Sequence, residues 1–444
     1  MLTLSEIAKA LHQSVNAADF PIEAVQTDSR QVKEHTLFAA LVGERVDAHR
    51  FIPALDAQFE EIVFLVSRLP EEPTRNPCFL VEDVREALGL LAKSHLQAVP
   101  AEIVCVTGSV GKTTTKNFIL SALAPAMQVS GTLGNMNNEL GVPLTALAVS
   151  DTDRAAVIEM GMRGLGQIHY LTQFVTPDIA VITNIGVAHL ELLKSRENIA
   201  CAKLELVDAL PRDGLALLNG DEPLLCGARP NKNCLYFGLK AHNDYRAEEI
   251  EGSSFTVCYP GGRLRMALQV EGEHQIMNAL AAFGVGHRLG VEPALLKQGI
   301  EVFAGDGRRM FTETVGGVTV IDDSYNAAPD SMAASLKVLA GKGGRRVAVL
   351  GDMLELGAYE EKGHRDVGLL CGELGIDAVV CIGERAKMIY DALPAETEKY
   401  YFGDRATVQL PKNLVRSGDS VLFKASNAMN FTALAQVLKE RIGE

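Results

Sequence analysis

The sequence predicts an α/β protein of three domains. A small α/β unit comes first, then a unit built on a mostly parallel sheet, then a second doubly wound unit. Three observations predict this. A chain of 444 residues is too long for one core. Beyond about residue 100, short β-branched apolar runs alternate with segments of helical period, the signature of a parallel sheet covered by helices. After about residue 312 the alternation starts again.

Each element follows from its pattern. In residues 1–83, "MLTLSEIAKALHQ" reads as an amphipathic helix, and "TLFAALVG" and "EEIVFLVS" as strands. The proline-rich "LPEEPTRNP", residues 69–77, is a loop near the unit's end. The central unit, 84–312, opens with the helix "VREALGLLAKSHLQ". The strands "AEIVCV", "AAVIEMG", "PDIAVITNIG" and "GLALLNGD" follow, with "TTTKNFILSALA", "GQIHYLTQF" and "RENIACAKLELVDAL" as helices. Residues 228–270 are more polar and predict added antiparallel strands, before the helix "HQIMNALAAFGVGHRL". In 313–444, "VTVIDDS", "RRVAVLGDM", "AVVCIGE" and "SVLFKAS" are strands, each followed by a helical segment. Ligand loops are expected at the carboxyl ends of such strands.

Composition narrows the function. The net charge of −14 opposes binding to nucleic acid or an anionic membrane, although a local cluster of donors still suits a phosphorylated ligand. No run of 18 apolar residues occurs, so membrane insertion is not expected. The start lacks the pattern of a signal peptide. Eight scattered cysteines have no metal-type spacing, which predicts a reduced, cytoplasmic protein.

One stretch carries chemistry most directly: "VTGSVGKTTTK", residues 106–116. It is either a phosphate cradle or a glycine-rich turn. Gly108 and Gly111 are separated by two residues, where the common P-loop has four. The flanks favour a nucleotide site, because a strand before and a helix after aim backbone N–H groups and the helix dipole at a bound anion. Gly108, Ser109, Gly111 and Thr114 then form the cradle, Lys112 reaches the outer phosphates, and Thr113 sits on Mg2+.

Other candidates lie where strands run out. Glu159 ends "AAVIE", Asn184 ends "AVITN", and His189 follows five residues later. In a parallel sheet these share an edge with the glycine loop, where a carboxylate suits a hard cation. Taken singly, Glu159 reads as a solvated strand end and His189 as a hydrogen-bonded histidine. Lys203, in "CAKLEL", reads as an ordinary helix-surface lysine. Asn135, Asn137 and Asn138 form an amide cluster suited either to a ligand or to a turn. Asp322 and Asp323 end a strand and point to opposite faces. Arg308 and Arg309 are forks for phosphate or carboxylate, or surface charges.

In combination and in order, "TGSVGKTTTK", "GNMNNELGVPLT", "VIEMGMRGLGQI", "ITNIGVAHLELLKS", "AKLEL", "GEHQIMNALAA" and "IDDSYNAAPDSM" resemble the Mur ligases over essentially the whole chain. "EMGMRG" and "DDSYNAAP" resemble the branch that handles D-Ala-D-Ala. The resemblance implies a P-loop-type ATPase at the centre, a Rossmann-like C-terminal domain and an N-terminal domain for the UDP end of the substrate. It implies an ATP-dependent carboxylate–amine ligase that passes through an acyl phosphate. The substrates would be UDP-N-acetylmuramoyl-tripeptide and D-Ala-D-Ala, and the chain a monomer. Two Mg2+ would be held, the first by Thr113 and Glu159. His189 and Lys203 would hold the second, with Lys203 carrying a CO2-derived carbamate. Lys112, His189 and Lys203 would be catalytic. Asn278 and Asp323 would meet adenine and ribose, Arg308 the phosphates, Asn137 and Asn138 the acceptor peptide, and Ser29 and Arg30 the uridine diphosphate. Lys424 matches a family lysine, although "KASN" stands where lysine-glycine-serine-arginine is usual. A sibling ligase, or one resembling folylpolyglutamate synthase, is the nearest alternative. A P-loop ATPase that switches conformation to bind a partner is another.

Overall fold

The strand Glu102–Thr107 shows why the central unit reads as it does. Val104 and Val106 face a core shared with the helices Lys112–Leu123, Glu273–Arg288 and Pro293–Glu301. Ile103 and Cys105 face the opposite core, shared with Gly141–Leu147, Gln167–Thr172 and Arg196–Asp208. Both faces are covered, so the strand is apolar throughout its interior rather than alternating. The computed structural model describes residues 2–305, 309–411 and 413–443.

The central sheet has nine strands. Strands Val129–Gly131, Ala155–Glu159, Glu102–Thr107, Ile179–Ile182, Leu215–Asn219, Asn233–Gly238 and Tyr245–Glu251 lie side by side and parallel. The 228–270 stretch is antiparallel only in its second half: Ser254–Tyr259 and Gly262–Ala267 extend the sheet antiparallel, whereas Asn233–Gly238 and Tyr245–Glu251 continue it parallel, against the expectation. The helix Lys112–Leu123 leaves its strand toward one face. The helices after both neighbouring strands, Gln167–Thr172 and Arg196–Asp208, pack on the other. That reversal opens a crevice at the carboxyl end of Glu102–Thr107.

The C-terminal sheet has the order Phe311–Val315, Val318–Asp322, Ser420–Lys424, Arg346–Gly351, Ala378–Ile382, Glu398–Phe402. Only its first pair is antiparallel. The N-terminal sheet, Ala24–Gln26, Thr36–Ala39, Ile62–Val66 and Cys78–Leu80, is parallel throughout. The helix Val84–Leu96 contributes Val84, Ala87, Leu88 and Leu91 to the core beneath it.

Ala24–Gln26, Cys78–Leu80, Val129–Gly131, Phe311–Val315 and Glu398–Phe402 are strands that the pattern does not announce, and each is a sheet edge; the short antiparallel pair Leu2–Thr3 and Pro21–Ile22 is also unannounced. An edge strand is short, half-solvated or polar, and "FTETV" and "EKYYF" carry no continuous apolar run. Among the described residues, no helix is long and apolar enough to cross a membrane. All eight cysteines are free.

Candidate active site

The glycine loop is built against the neighbouring strand. A Cβ at Gly108 would overlap Thr183 Oγ1, and Gly111 takes φ +82° to start the helix Lys112–Leu123. Asn184 fixes the loop from the side: its Oδ1 accepts from Ser109 N at 3.1 Å and from Val110 N at 3.0 Å. Ser109 Oγ in turn accepts from Gly186 N at 2.9 Å. Lys112 Nζ folds back to donate to Gly108 O at 2.9 Å.

Glu159 ends the adjacent strand and is buried. Its Oε2 accepts from Thr113 Oγ1 at 2.6 Å, its Oε1 from Asn137 Nδ2 at 2.8 Å, and its own N–H donates to Thr132 Oγ1 at 2.9 Å. The carboxylate is thus aimed at the first turn of the phosphate-loop helix. Asn138 does something else: its Oδ1 accepts from Gly141 N at 2.9 Å and closes the start of the helix Gly141–Leu147. The amide cluster therefore orients a carboxylate with one member and caps a helix with another.

Cationic groups converge on the same edge. Burial lowers the pKa of Lys112, Glu159 opposes that shift, and the nearby Arg309 reinforces it. Lys203 overturns the reading of a surface lysine. It is 1% exposed, and burial followed by the Lys112 charge drives its pKa well below the lysine value. Its helix explains why. Ile199, Lys203, Leu206 and Val207 fall on one stripe, so Lys203 points inward with them. His189 has φ +65°, and its Nδ1 lies 2.7 Å from Glu355 Oε2 of the C-terminal unit. Burial lowers its pKa, Glu355 opposes that, and Lys112 and Lys203 add to it. A strained backbone at such a residue is characteristic of a functional position.

The opposite wall comes from the C-terminal unit. Asp323 accepts from Ser335 Oγ at 2.6 Å and from Met310 N at 3.2 Å, and pairs with the buried Lys424. Lys424 also donates to Asn326 O at 3.1 Å. His274, at the start of the helix Glu273–Arg288, sits near both, and burial pushes its pKa down to about 4. Asn278, one turn on, accepts from Thr115 Oγ1 at 2.9 Å through its Oδ1. Arg309 stacks over Tyr325 at 4.1 Å from the ring centroid. Together these surfaces enclose a cleft of about 1540 Å3.

Family comparisons agree with this geometry. Residues 106–286 match the Mur ligase middle domain, and residues 307–427 match the Mur ligase, glutamate ligase domain. The chain belongs to the Mur ligase family. It is 37% identical to the UDP-N-acetylmuramoyl-tripeptide–D-alanyl-D-alanine ligase of Bacillus subtilis (strain 168), over 99% of this chain and 97% of that one. It is 34% identical to the enzyme of the same name from Escherichia coli (strain K12), over 99% and 98%. Among solved structures it resembles MurF from Acinetobacter baumannii, with a TM-score of 0.89 at 30% identity over 98% of both chains. It also resembles the MurF ligase of Thermotoga maritima in complex with ADP, with a TM-score of 0.83 at 28% identity over 95% and 98%.

In this Mur ligase, Ser109, Gly111, Lys112, Thr113, Thr114, Asn137, Asn138, Glu159, His189, Asn278 and Asp323 all line the one cleft. Arg308 lies outside the described residues, and Arg309 beside it lines the cleft. Ser29 and Arg30 do not line it. They follow the strand Ala24–Gln26, where the Arg30 guanidinium holds the Asp28 carboxyl down at about 2. Near them along the sheet's carboxyl edge, Asp47 joins His49, 2.7 Å away, and Arg68. Reading the residues one by one does not find Asp330 or Glu355, because their partners lie across a domain boundary.

Proposed function

We propose that this Mur ligase joins D-Ala-D-Ala to UDP-N-acetylmuramoyl-tripeptide at the expense of ATP, releasing ADP, phosphate and the pentapeptide product. One observation carries the reading. A phosphate-binding sheet edge faces a wall from a second domain across one cleft, in a chain that matches ligases of that name along its full length.

The chemistry fits the groups present. The terminal carboxylate of the tripeptide is a poor acyl donor, because its leaving group would be oxide. Transfer of the γ-phosphoryl group to it gives an acyl phosphate and ADP. The dipeptide amine then attacks the acyl carbon, the C–N bond forms, and the C–O bond to phosphate breaks. Lys112 and Arg309 lie where phosphate charge accumulates, and Asn184 keeps the loop in shape for it. Closure of the C-terminal wall keeps water from the acyl phosphate. Asn278 and Asp323 take the nucleoside, and Asn137 and Asn138 face the acceptor peptide. The uridine diphosphate lies at the carboxyl edge of the N-terminal sheet, by Ser29 and Arg30.

The chain supplies few hard ligands for Mg2+. Among the described residues, no three His, Cys, Asp or Glu side chains form a metal-binding group. Thr113 and Glu159 suit one ion, with phosphate oxygens completing its shell. His189 and Lys203 suit a second ion only if Lys203 becomes an anion. Its buried, proton-poor amine is the form that adds CO2 to give a carbamate. Mg2+ would neutralise the transferring phosphoryl group. On this reading the chain acts as a monomer in the cytoplasm.

The test is phosphate release from ATP with Mg2+, D-Ala-D-Ala and UDP-N-acetylmuramoyl-tripeptide, with product mass as readout. The meso-diaminopimelate and lysine forms of the tripeptide are run side by side. Release that needs both substrates and yields a pentapeptide is the expected result. Release without either substrate points instead to a switching ATPase.

A further inference from the structure

The helix Pro329–Ala340 opens the C-terminal wall, and Asp330 stands in its first turn. Acidic residues are common there because they favour the helix dipole, and they normally face water. Asp330 is instead turned across the domain boundary. A methyl group built on Gly186 would overlap its Oδ2; burial raises the carboxyl's pKa, and the Arg196 charge and the Val187 backbone N–H oppose that rise. Asp330 is not needed as a cap. Ser331 closes the helix start by accepting from Ala328 N at 3.0 Å and donating to Ala328 O at 2.9 Å.

The segment that Asp330 touches is the one that shapes the site. Gly186 N donates to Ser109 Oγ in the phosphate loop at 2.9 Å. A methyl at Gly186 would also come within 3.1 Å of Ser109 Cβ, so the backbone here is held between the phosphate loop and Asp330 with no room to spare. Arg196 supports it from beneath, donating to Ile185 O at 2.6 Å and to Glu222 Oε2 at 2.7 Å. Two residues beyond Val187, His189 meets Glu355, and Glu191 N donates to Glu355 O at 3.4 Å. The C-terminal domain therefore grips residues 186–191 through Asp330 and Glu355, and also buries Val187 in its own core with Leu190 packed against it.

We propose that Asp330 is a positioning residue that couples docking of the C-terminal domain to the shape of the phosphate loop and the placement of His189. Gly186 is the position that admits it. With the domain docked, Asp330 fixes Val187 and, through Gly186, Ser109. With the domain away, that constraint is gone. The phosphate site is then fully shaped only when the wall across the cleft is in place. This rests on the reading of Ser109 and His189 as site residues.

The test uses the full chain with four variants: Asp330→Asn, Asp330→Ala, Gly186→Ala and the double variant Gly186→Ala/Asp330→Ala. Amide hydrogen exchange of residues 184–191 is read first, without nucleotide. ATP binding and kcat and KM for ATP follow, with melting temperature as a folding control. Loss of one hydrogen bond to a charged acceptor corresponds to about tenfold faster exchange in Asp330→Ala, with weaker ATP binding. Asp330→Asn keeps an acceptor oxygen and retains most of the protection. Gly186→Ala weakens ATP binding in the native background, and less so once the Asp330 carboxylate is removed. Unchanged exchange of 184–191 in Asp330→Ala overturns the proposal. So does a Gly186→Ala effect of the same size in both backgrounds. If Asp330→Ala does not fold, Asp330→Asn against Gly186→Ala still decides: equal loss of protection in both overturns it. Exchange and ATP binding are read whether or not the chain ligates, so failure here is distinct from failure of the assigned reaction.

Discussion

Thr113 Oγ1 donates to Glu159 Oε2 at 2.6 Å, tying the first turn of the phosphate-loop helix to the end of the neighbouring strand. The hydroxyl and the carboxylate converge on one point, and the second carboxylate oxygen is held by Asn137. A hard cation placed there gains two protein oxygens with no rearrangement of either backbone.

Glu159→Gln removes the charge and sets an amide N–H against either Thr113 or Asn137. Loss of a preorganised electrostatic group of this kind predicts a fall in kcat of about 10²–10³-fold. The Mg2+ concentration for half-maximal activity rises, while the melting temperature changes little. A steady-state titration with Mg2+ measures this. Unchanged Mg2+ dependence would remove Glu159 from the metal site.

Lys203→Met trades activity for stability. Lys203 holds fewer protons folded than unfolded, because its folded pKa lies well below 10.5. Native stability therefore falls as pH drops below about 10.5, until the folded pKa is reached. Methionine carries no proton and fits the apolar stripe. Its stabilising effect should be absent near pH 10.5, grow as pH falls, and then level off. Denaturant midpoints in CO2-free buffer read that profile. The variant should be inactive, added CO2 should not restore it, and the native chain should show a 13C carbamate signal that the variant lacks.

Asn184→Asp keeps an acceptor for the Ser109 and Val110 N–H groups but loses the amide N–H that donates to Val110 O at 3.1 Å, so the loop loosens on that side. It also sets a negative charge beside the phosphates. The expected outcome is a KM for ATP raised about tenfold or more, equivalent to ~1.4 kcal/mol, with weaker dependence at high salt. A change in kcat alone would contradict it.

His274 contributes a pH-dependent term of known sign. Burial, together with the Lys424 charge and against that of Asp323, holds it at about 4, against 6.5 unfolded. The unfolded chain takes up the proton first on acidification. Stability from this group is therefore full above 6.5 and is lost between 6.5 and about 4. His274→Gln should flatten that part of the stability–pH curve, as urea midpoints at stepped pH would show.

Much of this was legible in the residues. The glycine loop and the strand-end positions of Glu159, Asn184 and His189 follow from strand, turn and period alone, because parallel strands bring their carboxyl ends to one edge. The strands of the larger sheets that the pattern leaves out are all edges, where burial is one-sided and the apolar pattern fades. Lys203 was hidden for the opposite reason. Ile199, Ala200, Ala202, Leu204, Leu206 and Val207 are all buried, so the helix is apolar around most of its circumference and its period names no single face. Its signal was a lysine at the fourth position after Ile199 on an inward stripe. Asp330 and Glu355 left none, since each meets a partner some 140 or more residues away in the chain, Asp330 at the Gly186 backbone and Glu355 at the His189 ring.

The three larger sheets bury their faces in largely separate cores, two flanking the central sheet, two the C-terminal one and two the N-terminal one, joined where Val187 enters a C-terminal core, where Leu140, Leu144 and Leu147 pack on an N-terminal one and where Ala92 enters a central one. This separation gives the lineage freedom to diverge piecemeal. Interior substitutions in the N-terminal sheet can accumulate without disturbing the strand ends that carry Glu159 and His189. One inherited engine for activating a carboxylate can then be paired with different recognition heads, each drifting at its own pace.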